Sequence, residues 1–272
     1  EISSLGSRLS RSPSSIWLTE KETEYVVSYV KHVFSNAIVF EFVVRNTLED
    51  VSLLDISVEM SHLNESTQDL ISPIFSSSIH RLDPSCEDSF FVGYSYDSSL
   101  LPIDSSFSCL LIFYSKSFDS GDTSSLISLD CTRDEYQVED VEINFGDFNR
   151  SLSLPPSKSI EQEWESLQLE GWEENETLSL ANVSSLQLAV DSLLQIVGNY
   201  PIDGSEKVFL PSTPSKSSSP LSHLLVVAIE DVIDSTNRAI IKFNLVQSLQ
   251  GGGSIYAEVA IRSTSESFGN RI

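Results

Sequence analysis

Three runs of strand-forming residues follow one another between Tyr25 and Met60, and nothing else in the chain constrains its fold as much. In AIVFEFVVRN, residues 37 to 46, the side chains of Ile38, Phe40, Phe42 and Val44 share one side of an extended backbone. Val39, Glu41, Val43 and Arg45 share the other, because strand side chains alternate with period two. The same alternation places Tyr25, Val27 and Tyr29 on one face before this run and Leu54, Ile56, Val58 and Met60 on one face after it. Asn46 to Asp50 supplies the polar turn between the second and third runs. Three half-buried strands in succession form the nucleus of an antiparallel sheet.

The pattern continues with SFFVGYSY at 89 to 96, FSCLLIFYS at 107 to 115 and EYQVEDVEINF at 135 to 145. In the last of these the alternation breaks between Val138 and Val141, which predicts a bulge or register change. The connectors HLNESTQD, LDPSCED and FDSGDTSS are polar and turn-rich, as the loops of an all-β sandwich must be. Residues 16–150 therefore read as an immunoglobulin-like β-sandwich, preceded by a Ser-rich linker tail at 1–15 that is too poor in apolar groups to fold.

Two consecutive prolines in SLSLPPSKS, residues 151 to 159, remove backbone donors and mark a boundary, after which the periodicity changes. Ile160, Trp164 and Leu167 fall on one helix face, with Ser159 and Gln162 spaced as a capping box. TLSL at 177 to 180 reads as a strand. A second helix is predicted over 185 to 197, capped by Ser184 with Gln187 and ended by a left-handed Gly198 before Pro201. A Pro/Ser stretch at 211–222 reads as a mobile loop. Strands at 224, 238 and 254 then close the chain, joined by turns at Asp234 to Asn237 and Gly251 to Gly253. Residues 151–272 thus read as a smaller α+β subdomain, an antiparallel sheet with helices against it.

Forty acidic residues against 16 basic ones give a net charge of −24, which repels nucleic acid phosphates and anionic lipid surfaces. No nucleic acid partner is expected, and membrane contact only indirectly. Cys86, Cys109 and Cys131 are odd in number and form no CxxC pair, so neither a zinc site nor a disulfide framework is indicated and a reducing cytosol fits best. No apolar run approaches the roughly 20 residues of a spanning helix. The N-terminal residues lack a signal-peptide core, and the sequons at Asn64, Asn149, Asn175 and Asn182 read as background in a Ser-rich chain.

No recognisable catalytic motif appears. His32, His62, His80 and His223 are scattered, without HExxH, GxSxG, a P-loop or a dinucleotide fingerprint. GGGS at 251 to 254 precedes a strand rather than a helix, so it reads as a hairpin turn and not a phosphate cradle. Glu173, Glu174 and Glu176 read as a solvated turn. The expectation is a non-enzymatic binding module, with no metal and no cofactor. A hydrolase built on a β-sandwich would need a converging Ser-His-acid set.

The run LTEKETEYVVSYVKHVFSNAIVFEFVVRNTLEDVSL closely resembles the start of the appendage domain of coatomer gamma subunits, and the resemblance spans roughly residues 17 to 266. It is weakest in the Pro/Ser stretch and in the terminal FGNRI. The resemblance implies a sandwich subdomain followed by a platform subdomain, recruiting accessory proteins to the COPI coat. Implied partners are the GTPase-activating protein of the small GTPase Arf and, in the full-length protein, other coatomer subunits. Implied localisation is the cytosolic face of Golgi membranes and COPI vesicles, through peripheral association in Golgi-to-ER and intra-Golgi transport. A clathrin-adaptor appendage shares the architecture, but the TEYVV..VKH run favours coatomer.

On helical spacing alone Trp164 reads as a core residue. The resemblance instead places it on the platform segment that carries a pocket tryptophan, leaving Trp172 as a structural aromatic. Arg262, in VAIRS, matches the basic residue lining that pocket, and its alternative is an exposed charge at a strand end. Such a pocket works because an ordered aromatic anchor offsets the entropy lost by a disordered partner segment.

Overall fold

A computed structural model describes residues 2–12, 14–64, 68–97, 103–118, 131–181, 183–198, 200–202, 204–209, 221–248, 254–270 and 272. The chain divides into two compact units, Glu1–Asp147 and Phe148–Ile272. The Pro/Ser stretch lies almost wholly, and the Gly251 to Gly253 turn entirely, outside the described residues.

The first unit is a sandwich of two antiparallel sheets. One contains β1 (Ser10–Arg11), β2 (Ile16–Trp17), β3 (Tyr25–Val33), β4 (Ala37–Asn46), β6 (Ile71–Ser76) and β8 (Glu87–Tyr96), ordered β1-β3-β4-β8-β6 with β2 also on β3. The other is ordered β10-β9-β5-β7, built from β5 (Val51–His62), β7 (Ile79–Leu82), β9 (Ser105–Ser117) and β10 (Thr132–Ile143). The period-two face of β4 is its inner face, with Ile38, Phe40, Phe42 and Val44 all fully buried. Rings join the sheets: Phe40 lies 6.1 Å from Phe107 and Tyr25 4.6 Å from Phe113, centroid to centroid. Each such side chain contributes about 1.5 to 3 kcal/mol by leaving water. The register of β10 on β9 shifts between Val138 and Val141, the irregularity that the broken alternation predicts. At the turn into β5, the fully buried Asn46 donates to the Val51 carbonyl at 2.7 Å and accepts from the Leu48 amide at 3.1 Å.

Three features of this unit depart from the sequence reading. Strands β6 and β7 carry no clean alternation; β6 is an edge strand interrupted by Pro73, where its register on β8 slips. β3 is buried beyond its first residue on both faces instead of one. The third is that residues 2–12 are not a bare tail. Ile2–Leu5 forms a 3-10 turn whose Ile2 and Leu5 pack on Phe34, Ala37 and Val39, covering the outer row of β4. β1 then pairs with the edge of β3, setting Arg11 opposite His32. Few apolar groups are needed, because Val39 and the β3 edge provide a surface that the segment itself does not.

The second unit is a five-stranded antiparallel sheet ordered β11-β13-β14-β15-β12. Its elements are β11 (Asn149–Ser151), α1 (Ile160–Glu170), β12 (Trp172–Leu180), α2 (Leu186–Val197), β13 (Leu221–Asp231), β14 (Arg238–Gln247), β15 (Ile255–Ser263) and a short α3 (Glu266–Gly269). The division falls after Asp147 rather than at the 150/151 boundary, because Asn149–Ser151 pairs with β13 as an edge strand. The α2 cap is Ser185, whose hydroxyl accepts from the Leu188 amide at 3.2 Å, and not Ser184. Gln187 does not close a box; its amide donates to Asp191 and to the Glu206 carbonyl, both at 2.9 Å. Gly198 takes φ 99° with ψ 143°, a positive φ outside the left-handed helical region. The apolar stripe of α2, Leu186, Ala189, Val190, Leu193, Leu194 and Val197, is buried as its spacing predicts. The Asp234 to Asn237 turn closes through the Asn237 amide on the Asp234 carbonyl at 2.9 Å.

Candidate protein-binding site

The site is built where α1 crosses the sheet. The Ser159–Gln162 capping box predicted from sequence is present: Gln162 N–H donates to Ser159 Oγ at 3.2 Å and Ser159 N–H to Gln162 Oε1 at 2.9 Å. Glu161 and Glu163 in the first turn complement the positive end of the helix dipole. Leu167 is buried among Leu152, Ala228 and Ile240, and Ile160, Trp164 and Val226 pack against that cluster half-buried. The helical face read from the sequence is thus the face that meets the sheet.

The end of α1 fixes where β12 begins. Gly171 N–H donates to the Leu167 carbonyl at 2.9 Å, and a Cβ at this position would come within 2.1 Å of the Ser263 carbonyl oxygen. Only glycine permits so close an approach, which lets β12 start directly beside β15 with Glu173 opposite Arg262. Trp172 at the start of β12 lies against Gly269 of α3.

The structure brings Trp164 and Arg262 together across almost a hundred residues of sequence. The Arg262 guanidinium carbon lies 4.1 Å from the Trp164 ring centroid, and its Nη1 donates to the Trp164 carbonyl at 3.0 Å. Arg262 is 7% exposed, so the reading of a free charge at a strand end is replaced by that of a buried, doubly held cation. Its Nε donates to Glu173 Oε2 at 3.0 Å. Asn175 Nδ2 donates to the other oxygen at 3.3 Å, and these two donors, Asn175 first, hold the Glu173 carboxyl below its ordinary range. Trp164 is neither core nor surface: its ring is half-buried with a second cation, Lys242 Nζ, 4.3 Å from its centroid. Among the described residues, the ion-pair partner of Lys242 is Glu161, loosely held 3.7 Å away on a carboxylate side chain 73% exposed.

Immediately before Trp164 in α1, Glu163 is fully buried between Lys158 and Arg238, the latter at 2.9 Å. These are ion-pair contacts without aligned hydrogen bonds. Sequence reasoning missed Lys242, Glu163 and the role of Glu173. Lys242 leaves little signal, for it alternates with Arg238, Ile240 and Asn244 on the more polar face of its strand. Glu173 leaves none, since an acidic run reads as solvated until its cross-strand partner is known.

An arrangement of an indole face, two cations and solvent-facing carboxylates can hold an aromatic or aliphatic anchor with an acidic neighbour. Two of the four histidines are engaged elsewhere: His32 Nε2 meets Glu41 at 2.8 Å and His223 Nε2 meets the Ser205 backbone carbonyl at 2.7 Å. His62 lies with its ring 4.5 Å from Phe107. Among the described residues no group of three or more His, Cys, Asp or Glu is placed to hold a metal, and no helix is long and apolar enough to cross a membrane.

Comparison with known proteins gives the family of the chain. Residues 1–144 match the family described as the coatomer gamma subunit appendage platform subdomain, and residues 146–272 match the coatomer subunit gamma-1 C-terminal appendage platform. Coatomer subunit gamma-1 of Mus musculus is 30% identical over 214 residues, covering 76% of this chain and 23% of its own length. Human coatomer subunit gamma-2 is 31% identical over 206 residues, covering 74% and 22%. The gamma-1 subunit of Oryza sativa subsp. japonica is 27% identical over the full 272 residues and 28% of its own length. The chain thus spans about a quarter of the length of these curated relatives, and over that span it belongs to the coatomer gamma subunit appendage family.

Proposed function

We propose that this chain is a non-enzymatic recruitment module of the COPI coat, which captures accessory proteins through Trp164 and Arg262. The captured proteins include an Arf GTPase-activating protein, and the setting is Golgi-to-ER and intra-Golgi transport on the cytosolic face of the membrane. The module touches the membrane only through the rest of the coat. The observation that carries the reading is the half-buried Trp164 ring, backed by helix and sheet yet flanked by Arg262 and Lys242. A ring packed from behind is held still, so a partner segment alone bears the entropic cost of ordering.

The test is a titration of wild-type and Trp164→Ser chains against an Arf GTPase-activating protein fragment, paired with denaturation curves. Binding is expected to be lost in the variant. Because the indole packs partly on the core cluster, stability is expected to fall by about 1 to 3 kcal/mol, between the cost of a surface change and that of a core Trp truncation. A variant that is folded and binds as well as wild type overturns the assignment.

A further inference from the structure

The site already contains a ligand-like group. Glu173 stands on the edge strand β12, directly across from Arg262, and its carboxylate takes the guanidinium Nε at 3.0 Å. The two partners differ in access: the Arg262 side chain is 9% exposed and that of Glu173 is 33% exposed. The guanidinium is anchored independently by the Trp164 carbonyl, so it does not need the carboxylate to keep its position over the ring. What Glu173 contributes is charge neutralisation on the more exposed side of the pair.

We infer that Glu173 is a specificity-determining residue: an internal competitor that occupies Arg262 until a ligand brings its own carboxylate. This rests on the reading of Trp164 and Arg262 as a peptide site. A carboxylate tethered on the neighbouring strand acts at high effective concentration, so weak or neutral segments cannot displace it. A segment with an acidic residue beside its apolar anchor can exchange one charge-assisted pair for another and place a second carboxylate on loosely paired Lys242. The ligand class is therefore an extended segment carrying an aromatic or aliphatic anchor flanked by Asp or Glu. The chain's net charge of −24 does not forbid such a ligand, since at physiological salt fields beyond about 8 Å are screened while contacts at Arg262 and Lys242 are not.

The experiment uses the 272-residue chain and two fluorescein-labelled probes, Glu-Asp-Phe-Asp-Glu and its neutral counterpart Gln-Asn-Phe-Asn-Gln, read by anisotropy. Glu173→Gln keeps the side-chain shape and removes the competing charge. It is expected to tighten binding of the acidic probe by about two- to fivefold and leave the neutral probe unchanged, with the gain shrinking as salt rises. If Glu173→Gln binds the acidic probe no more tightly than wild type while Trp164→Ser loses it, the competitor role is overturned and the pocket stands. If Trp164→Ser binds the acidic probe as wild type does, or if none of the chains binds it, the pocket reading falls and this inference falls with it.

Discussion

The two units each place a cation against a carboxylate, and the pairs are built to opposite ends. In the sandwich, Lys31 of β3 meets Asp147 at 2.6 Å with both side chains almost sealed, 5% and 10% exposed. Every neighbour there is internal: Lys31 also donates to the Glu142 carbonyl at 3.1 Å, and the Asn144 amide donates to Asp147 at 2.9 Å. Burial pushes the Asp147 carboxyl up in spite of the lysine beside it. In the second unit, Arg262 and Glu173 keep a similar contact, but one partner faces water and an aromatic ring lies alongside. The sealed pair can only hold the fold, whereas the open one has a partner that a ligand can replace. Contact distance does not distinguish the two, but access to water does.

The widest separation between them should appear on deleting the cation of the sealed pair. Lys31→Met leaves Asp147 buried without its counter-charge, and losing one member of a buried pair costs about 3 to 5 kcal/mol. A denaturation curve of the chain should show that loss. A shift smaller than about 1 kcal/mol would mean that water reaches Asp147 and that the contrast between the pairs is false.

Gly171→Ala attacks the open pair alone. The new methyl would meet the Ser263 and Leu167 carbonyl oxygens, at 2.1 and 2.8 Å, so either α1 or β12 must move. The expected cost is about 1 to 3 kcal/mol, confined to the second unit. With it should come a change in Trp164 fluorescence, as β12 carries Glu173 out of register with Arg262. Hydrogen exchange resolved by residue separates the units; faster exchange in 148–272 with 2–147 unaffected is the expected pattern. Equal loss of protection in both would show that Gly171 matters for folding at large and not for placing the pair.

Much of this organisation was legible because periodicity reports burial. The inner face of β4, the stripe of α2 and the α1 face with its capping box come from spacing, since one apolar row has one place to go. The bulge in β10 showed as a break in that row. The features that did not show depend on partners distant in sequence. Ile2 and Leu5 find a surface only because β4 turns Val39 outward, and β7 exists only because β5 offers an edge. At the site, the family resemblance marked Trp164 and Arg262, but spacing could not reveal that Glu173 would sit across from Arg262, or that Lys242 would reach the same ring. Cross-strand register is set by the whole sheet, and a single segment does not carry it.

The smallest effect belongs to a third pair, intermediate in access, which shows whether burial grades the behaviour continuously. His32 meets Glu41 at 2.8 Å with side chains 11% and 24% exposed, on the outer face where the N-terminal segment lies. Arg8 donates to its Nδ1 at 3.2 Å, so the ring is neutral and gives its Nε2 proton to Glu41. Burial is the main cause lowering its pKa from 6.5; Arg8 and Arg11 add to the lowering while Glu41 opposes it. The folded state then binds fewer protons than the unfolded one, so stability is full above the ordinary pKa of 6.5 and is lost as pH falls through the lowered folded value. A proton arriving on Nδ1 also meets the Arg8 guanidinium, which must withdraw. Acidification from about pH 7.5 to 5.5 should therefore raise amide exchange in residues 2–12 several-fold while β4 stays protected, with a cost on the order of 1 kcal/mol or less. His32→Asn, which has no titrating ring, should abolish the pH dependence of that exchange. If exchange in 2–12 is independent of pH, or rises equally in His32→Asn, the ring is not what holds the segment, and its attachment lies with Ile2, Leu5 and the β1 ladder alone.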